Sequence, residues 1–167
     1  ELFAMRTLAR LLAFAVLFSA GLFPCSEVVL SEELHVGVAT TDITPGTNYP
    51  VSGYYHERLS TGTSDPLEAR AIVFRQGDLS AAFVVCDLIT VASDLTVEVR
   101  KRVQKRTGIP SEHIVVAATH THTGPDYTRE LFSVVSGKPL PANWKDRKPY
   151  APKLIEAVAD AVVNAYE

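Results

Sequence analysis

The sequence is poor in the features that mark several specialised classes of protein. Only two cysteines occur, and because Cys25 ends an apolar N-terminal segment, Cys86 alone cannot form an internal disulfide framework. The net charge of −3 gives no concentrated excess of Lys and Arg of the kind that a DNA or RNA surface requires. Hydrophobic residues make up 47% and charged residues 21% of the chain, which is typical of a globular protein and argues against a disordered one. We therefore expect a folded protein with no nucleic-acid partner.

The N-terminal apolar segment is too short to span a membrane comfortably. It runs from Leu11 to Phe23, whereas a transmembrane helix needs about 20 apolar residues. Because Arg6 and Arg10 precede it, the pattern is typical of a signal peptide, and a buried N-terminal helix is the alternative. We predict a signal peptide at 1–26 and an exported protein, whether secreted, periplasmic or on the cell surface.

Hydrophobic periodicity after the leader predicts both strands and helices. Strands are expected at 34–39, 69–75, 81–86 and 114–118, and helices at 93–107 and 152–166. The short turn at Gln76-Gly77-Asp78 makes the second and third strands an antiparallel hairpin. The helix between the third and fourth strands predicts a right-handed crossover that leaves those two strands parallel. The predicted fold class is therefore α/β, with a mixed sheet that contains a strand–helix–strand parallel crossover.

The same patterns predict which strand residues are buried. Leu34, Val36 and Val38 alternate with less apolar residues, so we expect them to form the buried side of a half-buried strand. The unbroken apolar run from Ile114 to Ala118 predicts a strand that is covered on both faces. Cys86 lies in another apolar run and is expected to be a small buried residue.

Loop and cap signals divide these elements. Ser93 or Asp94 is expected to cap the first helix, and Gly108 to end it. The segment at 42–66 is rich in Thr, Gly, Pro, Ser and Tyr and predicts a long loop, and long ordered loops tend to be functional. The last helix is still running at Glu167, so we expect residues 34–167 to be the N-terminal part of a larger catalytic domain.

Polar side chains follow two strands that are predicted to be parallel. Asp87 comes directly after the strand at 81–86, and His120 and His122 come directly after the strand at 114–118. Functional groups collect beyond the carboxyl ends of parallel strands, so a carboxylate and two imidazoles are expected at one crevice mouth. Residues two apart in an extended segment point to the same side, and imidazole is a common ligand for zinc. The pattern favours a metal site, and two surface histidines are the alternative.

Several separate motifs together resemble a known family. They are Val36-Gly-Val-Ala-Thr-Thr-Asp42-Ile-Thr-Pro45, Gly53-Tyr54, Asp65-Pro-Leu-Glu-Ala-Arg70-Ala71, Val84-Val-Cys-Asp87-Leu88 and Ala118-Thr-His-Thr-His-Thr-Gly-Pro125. Because these motifs occur in the same order from about His35 to Pro125, this part of the chain resembles the N-terminal region of the neutral/alkaline non-lysosomal ceramidases.

The resemblance implies a zinc amidohydrolase that cleaves the N-acyl amide of ceramide, or of a related lipid, into sphingosine and a fatty acid. By this resemblance His120 is a Zn²⁺ ligand, and His122 lies beside the metal, where it contacts substrate or stabilises the developing oxyanion. The resemblance suggests no role for Asp87, which is a catalytic candidate from its position alone. A ceramide-like lipid is the expected partner, with peripheral contact to a membrane surface. The sequence does not predict the oligomeric state.

The chain also departs from the family's pattern. Thr123 and Asp126-Tyr127 stand where ceramidases usually carry a serine and a second glycine around the Gly-Pro pair. The family's remaining zinc ligands, a second histidine, a glutamate and a tyrosine, come from much later in the chain, so we expect this fragment to be inactive by itself. A non-catalytic exported binding protein on the same scaffold is the alternative. A metallo-β-lactamase-like site is rejected, because Gly124-Pro125 occupies the places of its Asp-His pair.

Overall fold

A computed structural model describes residues 32–140, 144 and 149–167 of the chain. The predicted signal peptide at 1–26 lies outside the described residues. Within them, four strands and three α-helices occur in the order β1 (His35–Asp42), β2 (Glu68–Gln76), β3 (Leu79–Cys86), α1 (Ser93–Thr107), β4 (Ile114–Ala118), α2 (Thr128–Ser136) and α3 (Ala151–Tyr166). None of the helices in this part of the chain is both long enough and apolar enough to cross a membrane.

The strands form one mixed sheet in the order β1-β2-β3-β4. β1, β2 and β3 are antiparallel neighbours, and β4 lies parallel to β3 at the edge of the sheet. Gln76 pairs with Leu79 across a two-residue turn, in which Gly77 takes a φ of 56° that glycine adopts without a steric penalty. The predicted hairpin, the parallel crossover and the α/β fold class are confirmed.

The core lies between one face of the sheet and the helices. α3 packs across β1, β2 and β3 and beside α1. Its predicted apolar stripe is fully or almost fully buried, as is the stripe of α1; these residues are Leu95, Val99, Val103, Leu154, Ile155, Val158, Val162 and Ala165. Burying a large aliphatic side chain stabilises a protein by about 1.5–3 kcal/mol, so this stripe-to-sheet contact is the main source of stability.

The buried side of β1 is the opposite of the predicted one. Val36 is 51% exposed and Val38 is 73% exposed, whereas Gly37 and Ala39 point towards the helices. A Cβ atom added to Gly37 would lie 1.8 Å from the carbonyl oxygen of Ala165, so α3 approaches this strand too closely for a side chain. Close helix packing therefore selects the small residues, and the valines face the other way.

The prediction that β4 is covered on both faces is also wrong for the described residues. Val115 is 46% exposed, while Ile114 beside it is fully buried. On the same open face of the sheet lie other exposed apolar side chains, among them Val36, Phe74 and Phe83. The helices that the structure describes pack on the other face only.

The ends of α1 match the predictions in part. Gly108 ends the helix at a φ of 80°, and its N–H donates to the carbonyl of Gln104, as predicted. Neither Ser93 nor Asp94 is the N-terminal cap, because the helix already begins at Ser93 and the cap position is Ala92, which has no capping side chain. Instead, the N–H of Ala92 donates to the hydroxyl of Tyr127 over 2.9 Å.

Cys86 is fully buried at the end of β3, as predicted. Burial raises the pKa of its thiol to about 12, and the charge of Asp87 acts in the same direction. Because the thiolate is the reactive form, this cysteine is chemically inert in the folded protein.

Candidate active site

The three predicted site residues lie at one edge of the sheet. Cys86 pairs with Ala118 at the ends of the parallel strands, so the residues that follow them leave the sheet side by side. The N–H of Thr119 donates to the carbonyl of Cys86 over 3.0 Å, and its hydroxyl donates to a carboxyl oxygen of Asp87 over 3.2 Å. Asp87 therefore lies at one strand end and the histidine segment at the other, on the same edge of the sheet.

His120 is held in an unusual backbone conformation. Its φ of 65° lies in the left-handed region, which is disfavoured by about 1–2 kcal/mol for a residue with a Cβ atom. The turn brings its Nδ1 atom within 2.7 Å of the carbonyl oxygen of Ile89. Since a carbonyl oxygen only accepts hydrogen bonds, Nδ1 donates a hydrogen bond to Ile89, and Nε2 is the ring nitrogen that faces His122.

The ring of His122 faces the ring of His120. The two Nε2 atoms are 3.4 Å apart, and the ring planes are inclined by 78°. The His-X-His spacing predicts that both histidines face one locus if the segment is extended. The rings do meet, but a turn brings them together, since the left-handed φ of His120 breaks the extended backbone.

The histidine pair fits part of a metal site. A zinc ion bound to the Nε2 atom of His120 at about 2.0–2.1 Å would lie beside the ring of His122, because the two Nε2 atoms are only 3.4 Å apart. Among the described residues, no group of three or more His, Cys, Asp or Glu side chains can hold a metal ion. A catalytic zinc site typically uses three protein ligands, so the described residues do not by themselves complete such a site.

Asp87 is occupied by neighbours other than the histidines. Its carboxylate accepts hydrogen bonds from Arg70 over 3.1 and 3.2 Å, from the N–H of Glu68 over 3.0 Å, and from Thr119. Partial burial would by itself raise the pKa of Asp87, but the bonds from Arg70 and Glu68 and the charge of Arg70 together hold it below the usual value. Asp87 is therefore ionised at neutral pH, and through Thr119 it fixes the residue that precedes His120.

The loop at 42–66 contributes a segment that crosses the histidine turn. We call residues 49–60 the strap. Its two arms are joined by a bridge between Pro50 and Leu59, and its first arm pairs with the turn through a bridge between Val51 and Pro125. The N–H of Ser52 also donates to the carbonyl of Gly124 over 2.9 Å. The expectation of a functional loop is consistent with this position over the site.

Cavities flank the histidine turn on both sides of the strap. One of about 590 Å³ is bordered by the 42–66 loop, Asp87 and Thr121, and another of about 350 Å³ is bordered by Gly53 and Ile89. A larger cavity of about 720 Å³ lies beside His35 at the opposite end of the sheet. The two smaller cavities border the residues next to the histidines, Thr121 on one side and Gly53 and Ile89 on the other, so the candidate site lies at this edge although the largest of the three cavities does not.

Sequence reasoning missed α2 and the tyrosine before it. Tyr127 is 1% exposed, and its hydroxyl donates to the carbonyl of Thr90 while it accepts from the N–H of Ala92. It thus holds the loop that contains Ile89, the residue to which His120 is bonded. A signal for the helix was present, since apolar residues recur at 131, 134 and 135 before a glycine.

The comparisons with known proteins support the fold. No model of a protein family matches the chain, and no curated protein matches it. The structure is similar to the crystal structure of neutral ceramidase from Pseudomonas aeruginosa, with a TM-score of 0.65 and 20% identity over 80% of this chain. It is also similar to a ceramidase complexed with C2, with a TM-score of 0.62 and 21% identity over 80% of this chain. The chain spans 21% of the length of each, so the likeness shows the α/β fold of one part of those structures.

Proposed function

We propose that this chain is part of a zinc-dependent hydrolase of the neutral ceramidase type, which cleaves the N-acyl amide of ceramide or a related lipid. The observation that carries the proposal is the pair of Nε2 atoms 3.4 Å apart at the carboxyl edge of a ceramidase-like fold. The fragment by itself is expected to be inactive, because a catalytic zinc site typically needs three protein ligands and the ligands other than His120 have to come from outside the described residues.

In this proposal His120 is the metal ligand. Its Nδ1–H donates to the carbonyl of Ile89, which holds the ring in one orientation and leaves Nε2, the nitrogen that faces His122, as the atom that would bind the metal. A zinc ion bound there would polarise the amide carbonyl and lower the pKa of water at the site to about 7. The hydrogen bond to Ile89 would also make the ring a better ligand, as such partners commonly do.

His122 is the residue proposed to contact the reacting amide. Its Nε2 atom lies at the same locus as that of His120, and its side chain is exposed to the crevice. An imidazole N–H aimed at the carbonyl oxygen can stabilise the negative charge that develops there when the amide is attacked. This role needs the ring to be held in place, because a donor helps only where the charge appears.

Asp87 was a catalytic candidate from its position, and its contacts support a positioning role in the proposed site. Its carboxylate is bonded to Arg70 and to Thr119, and Thr119 directly precedes His120. Asp87 thereby fixes the start of the histidine turn. A direct role at the reacting amide stays a prediction.

The proposal also covers the substrate class and the location of the protein. One of the similar structures is described as complexed with C2, which supports a ceramide-like lipid as the substrate class to test first. The basic and apolar leader supports export, and a lipid substrate supports peripheral contact with a membrane surface.

The test uses the protein expressed from its complete gene. His120→Ala should remove bound zinc, measured by inductively coupled plasma mass spectrometry, and abolish release of fatty acid from ceramide. His35→Ala, an exposed histidine at the far end of the sheet, is the control and should change neither quantity. Unchanged zinc stoichiometry in His120→Ala would overturn the ligand assignment. A wild-type protein that binds ceramide without zinc and without hydrolysis would instead favour the non-catalytic binding protein.

A further inference from the structure

The ring of His122 lies directly against the backbone of the strap. A Cβ atom added to Gly53 would lie 2.7 Å from both Cβ and Cγ of His122 and 2.8 Å from its Nδ1 atom. Real Cβ atoms essentially never approach other heavy atoms this closely, so any side chain at this position must displace the imidazole or the strap. Gly53 also has a φ of 94°, which residues with a side chain rarely adopt.

The strap cannot easily move away from the ring. Immediately before Gly53, the N–H of Ser52 donates to the carbonyl of Gly124, which lies two residues after His122. The N–H of Asp126 then donates to the carbonyl of Pro50 over 2.8 Å. These bonds join the strap to the same turn that carries the imidazole, so the distance between Gly53 and His122 is fixed from both sides.

His120 is held by a different part of the protein. Its Nδ1 atom is bonded to the carbonyl of Ile89, in the loop that follows β3, and the same loop is held by Tyr127. The strap therefore touches His122 directly, whereas the ring of His120 has a separate hydrogen bond that holds it. The two rings that meet at the site are thus held by contacts with two different segments, the strap and the loop after β3.

We propose that Gly53 is a positioning residue, whose bare Cα lets the strap hold the His122 imidazole so that its Nε2 atom faces that of His120. The inference rests on the proposed function and deepens it, because it assigns the orientation of the group that contacts the amide. A side chain at this position pushes the ring out of place while the zinc ligand stays where it is.

The first test is Gly53→Ala in the protein expressed from its complete gene. Displacing a catalytic group by about 1 Å can lower a rate roughly 100-fold, so we expect kcat to fall by about that factor. KM should change by less than about threefold and the zinc content should be unchanged, because the effect falls on the chemical step. An unchanged kcat, or loss of zinc in parallel with activity, would overturn the proposal.

Two glycines provide matched controls. Gly108 also has a positive φ, 80°, but an added Cβ atom there meets nothing within 4 Å, so Gly108→Ala introduces backbone strain without a contact. Gly62 lies in the same loop as the strap, and an added Cβ atom there also meets nothing within 4 Å. Both variants should keep kcat within about twofold of wild type. An equal loss of kcat in Gly108→Ala would show that general destabilisation lowers the rate in Gly53→Ala, and it would refute the proposal.

A double-variant cycle tests whether Gly53 acts through His122. His122→Gly removes all three atoms that the new Cβ atom would meet, so adding Gly53→Ala should then lower kcat no further. The same fractional loss in both backgrounds would contradict the proposal.

The imidazole signals of the ¹⁵N-labelled protein give a readout that does not depend on activity. Gly53→Ala should shift the signals of His122 more than those of His120, and Gly108→Ala should shift neither. This result tests the contact even if the protein hydrolyses no amide, in which case the proposed function fails separately. Unshifted His122 signals in Gly53→Ala would overturn the contact itself.

Discussion

Glu130 joins the strap, α2 and α3 at one buried point, and its removal should destabilise the whole fold. The side chain is 1% exposed. Its carboxyl group accepts hydrogen bonds from the hydroxyl of Tyr49 over 2.6 Å, from the N–H of Ala151 over 2.8 Å and from the N–H of Tyr150. The two N–H groups belong to the start of α3, where backbone donors have no partner within the helix.

The magnitude follows from these three bonds. A hydrogen bond to a buried polar group contributes about 1–2 kcal/mol, and Glu130→Ala leaves three donors to be satisfied by water that enters the space. The expected loss is about 3–5 kcal/mol, which is typical when a buried polar network is broken. For a protein of this size the Tm should fall by roughly 10 °C.

The assay is urea-induced and thermal unfolding of the wild type and the variant, followed by circular dichroism. Glu112→Ala is the control, because this glutamate is exposed and its replacement should change stability by less than about 0.5 kcal/mol. A loss below about 1 kcal/mol in Glu130→Ala would refute the reasoning, since it would mean that the three buried donors are satisfied without the carboxyl group.

Three further predictions concern the sheet and the residues at its edge. The contacts that lower the pKa of Asp87 stabilise the fold above the unfolded pKa of about 3.9 and are lost as the pH falls through the lower folded pKa. Wild type should therefore be about 1 kcal/mol more stable than Asp87→Asn at pH 7, because Arg70 is half exposed, and this advantage should shrink in unfolding curves as the pH falls below about 3.9; a pH-independent difference would contradict the reasoning. Gly37→Ala should lower the free energy of unfolding, measured in urea, by about 1–3 kcal/mol or more, because the new methyl group collides with the backbone of α3. Gly46→Ala is the control, because an added Cβ atom there has no neighbour within 4 Å. Equal losses in the two variants would show that the collision with α3 is not the cause. Cys86 should react with a thiol reagent only when urea unfolds the protein. Rapid labelling of Cys86 in the folded state would show that its thiol is exposed to solvent.

The architecture was predictable because its signals are local. The Gly77 turn, the run from Ile114 to Ala118 and the apolar stripe of the last helix each occupy a short stretch, and together they predict the hairpin, the crossover and the packing helix. The exposed side of β1 was not predictable in the same way. Whether Val36 or Gly37 faces the core depends on how closely α3 approaches, and Ala165 lies more than a hundred residues away in sequence.

The site was predictable in location but not in geometry. The strand ends brought Asp87, His120 and His122 to one edge, as the α/β topology predicts. The left-handed φ of His120 and its bond to Ile89 could not be derived from the pattern, because they depend on a neighbouring loop. The contact of Gly53 with His122 likewise joins two segments about seventy residues apart, and only the folded chain reveals it.

The most direct test of the central claim is a crystal structure of the protein expressed from its complete gene, with anomalous diffraction measured at the zinc absorption edge. The account predicts one zinc ion with the Nε2 atom of His120 at about 2.0–2.1 Å. A zinc ion bound elsewhere, or a fully folded protein that takes up no zinc at this edge of the sheet when zinc is supplied, would contradict it.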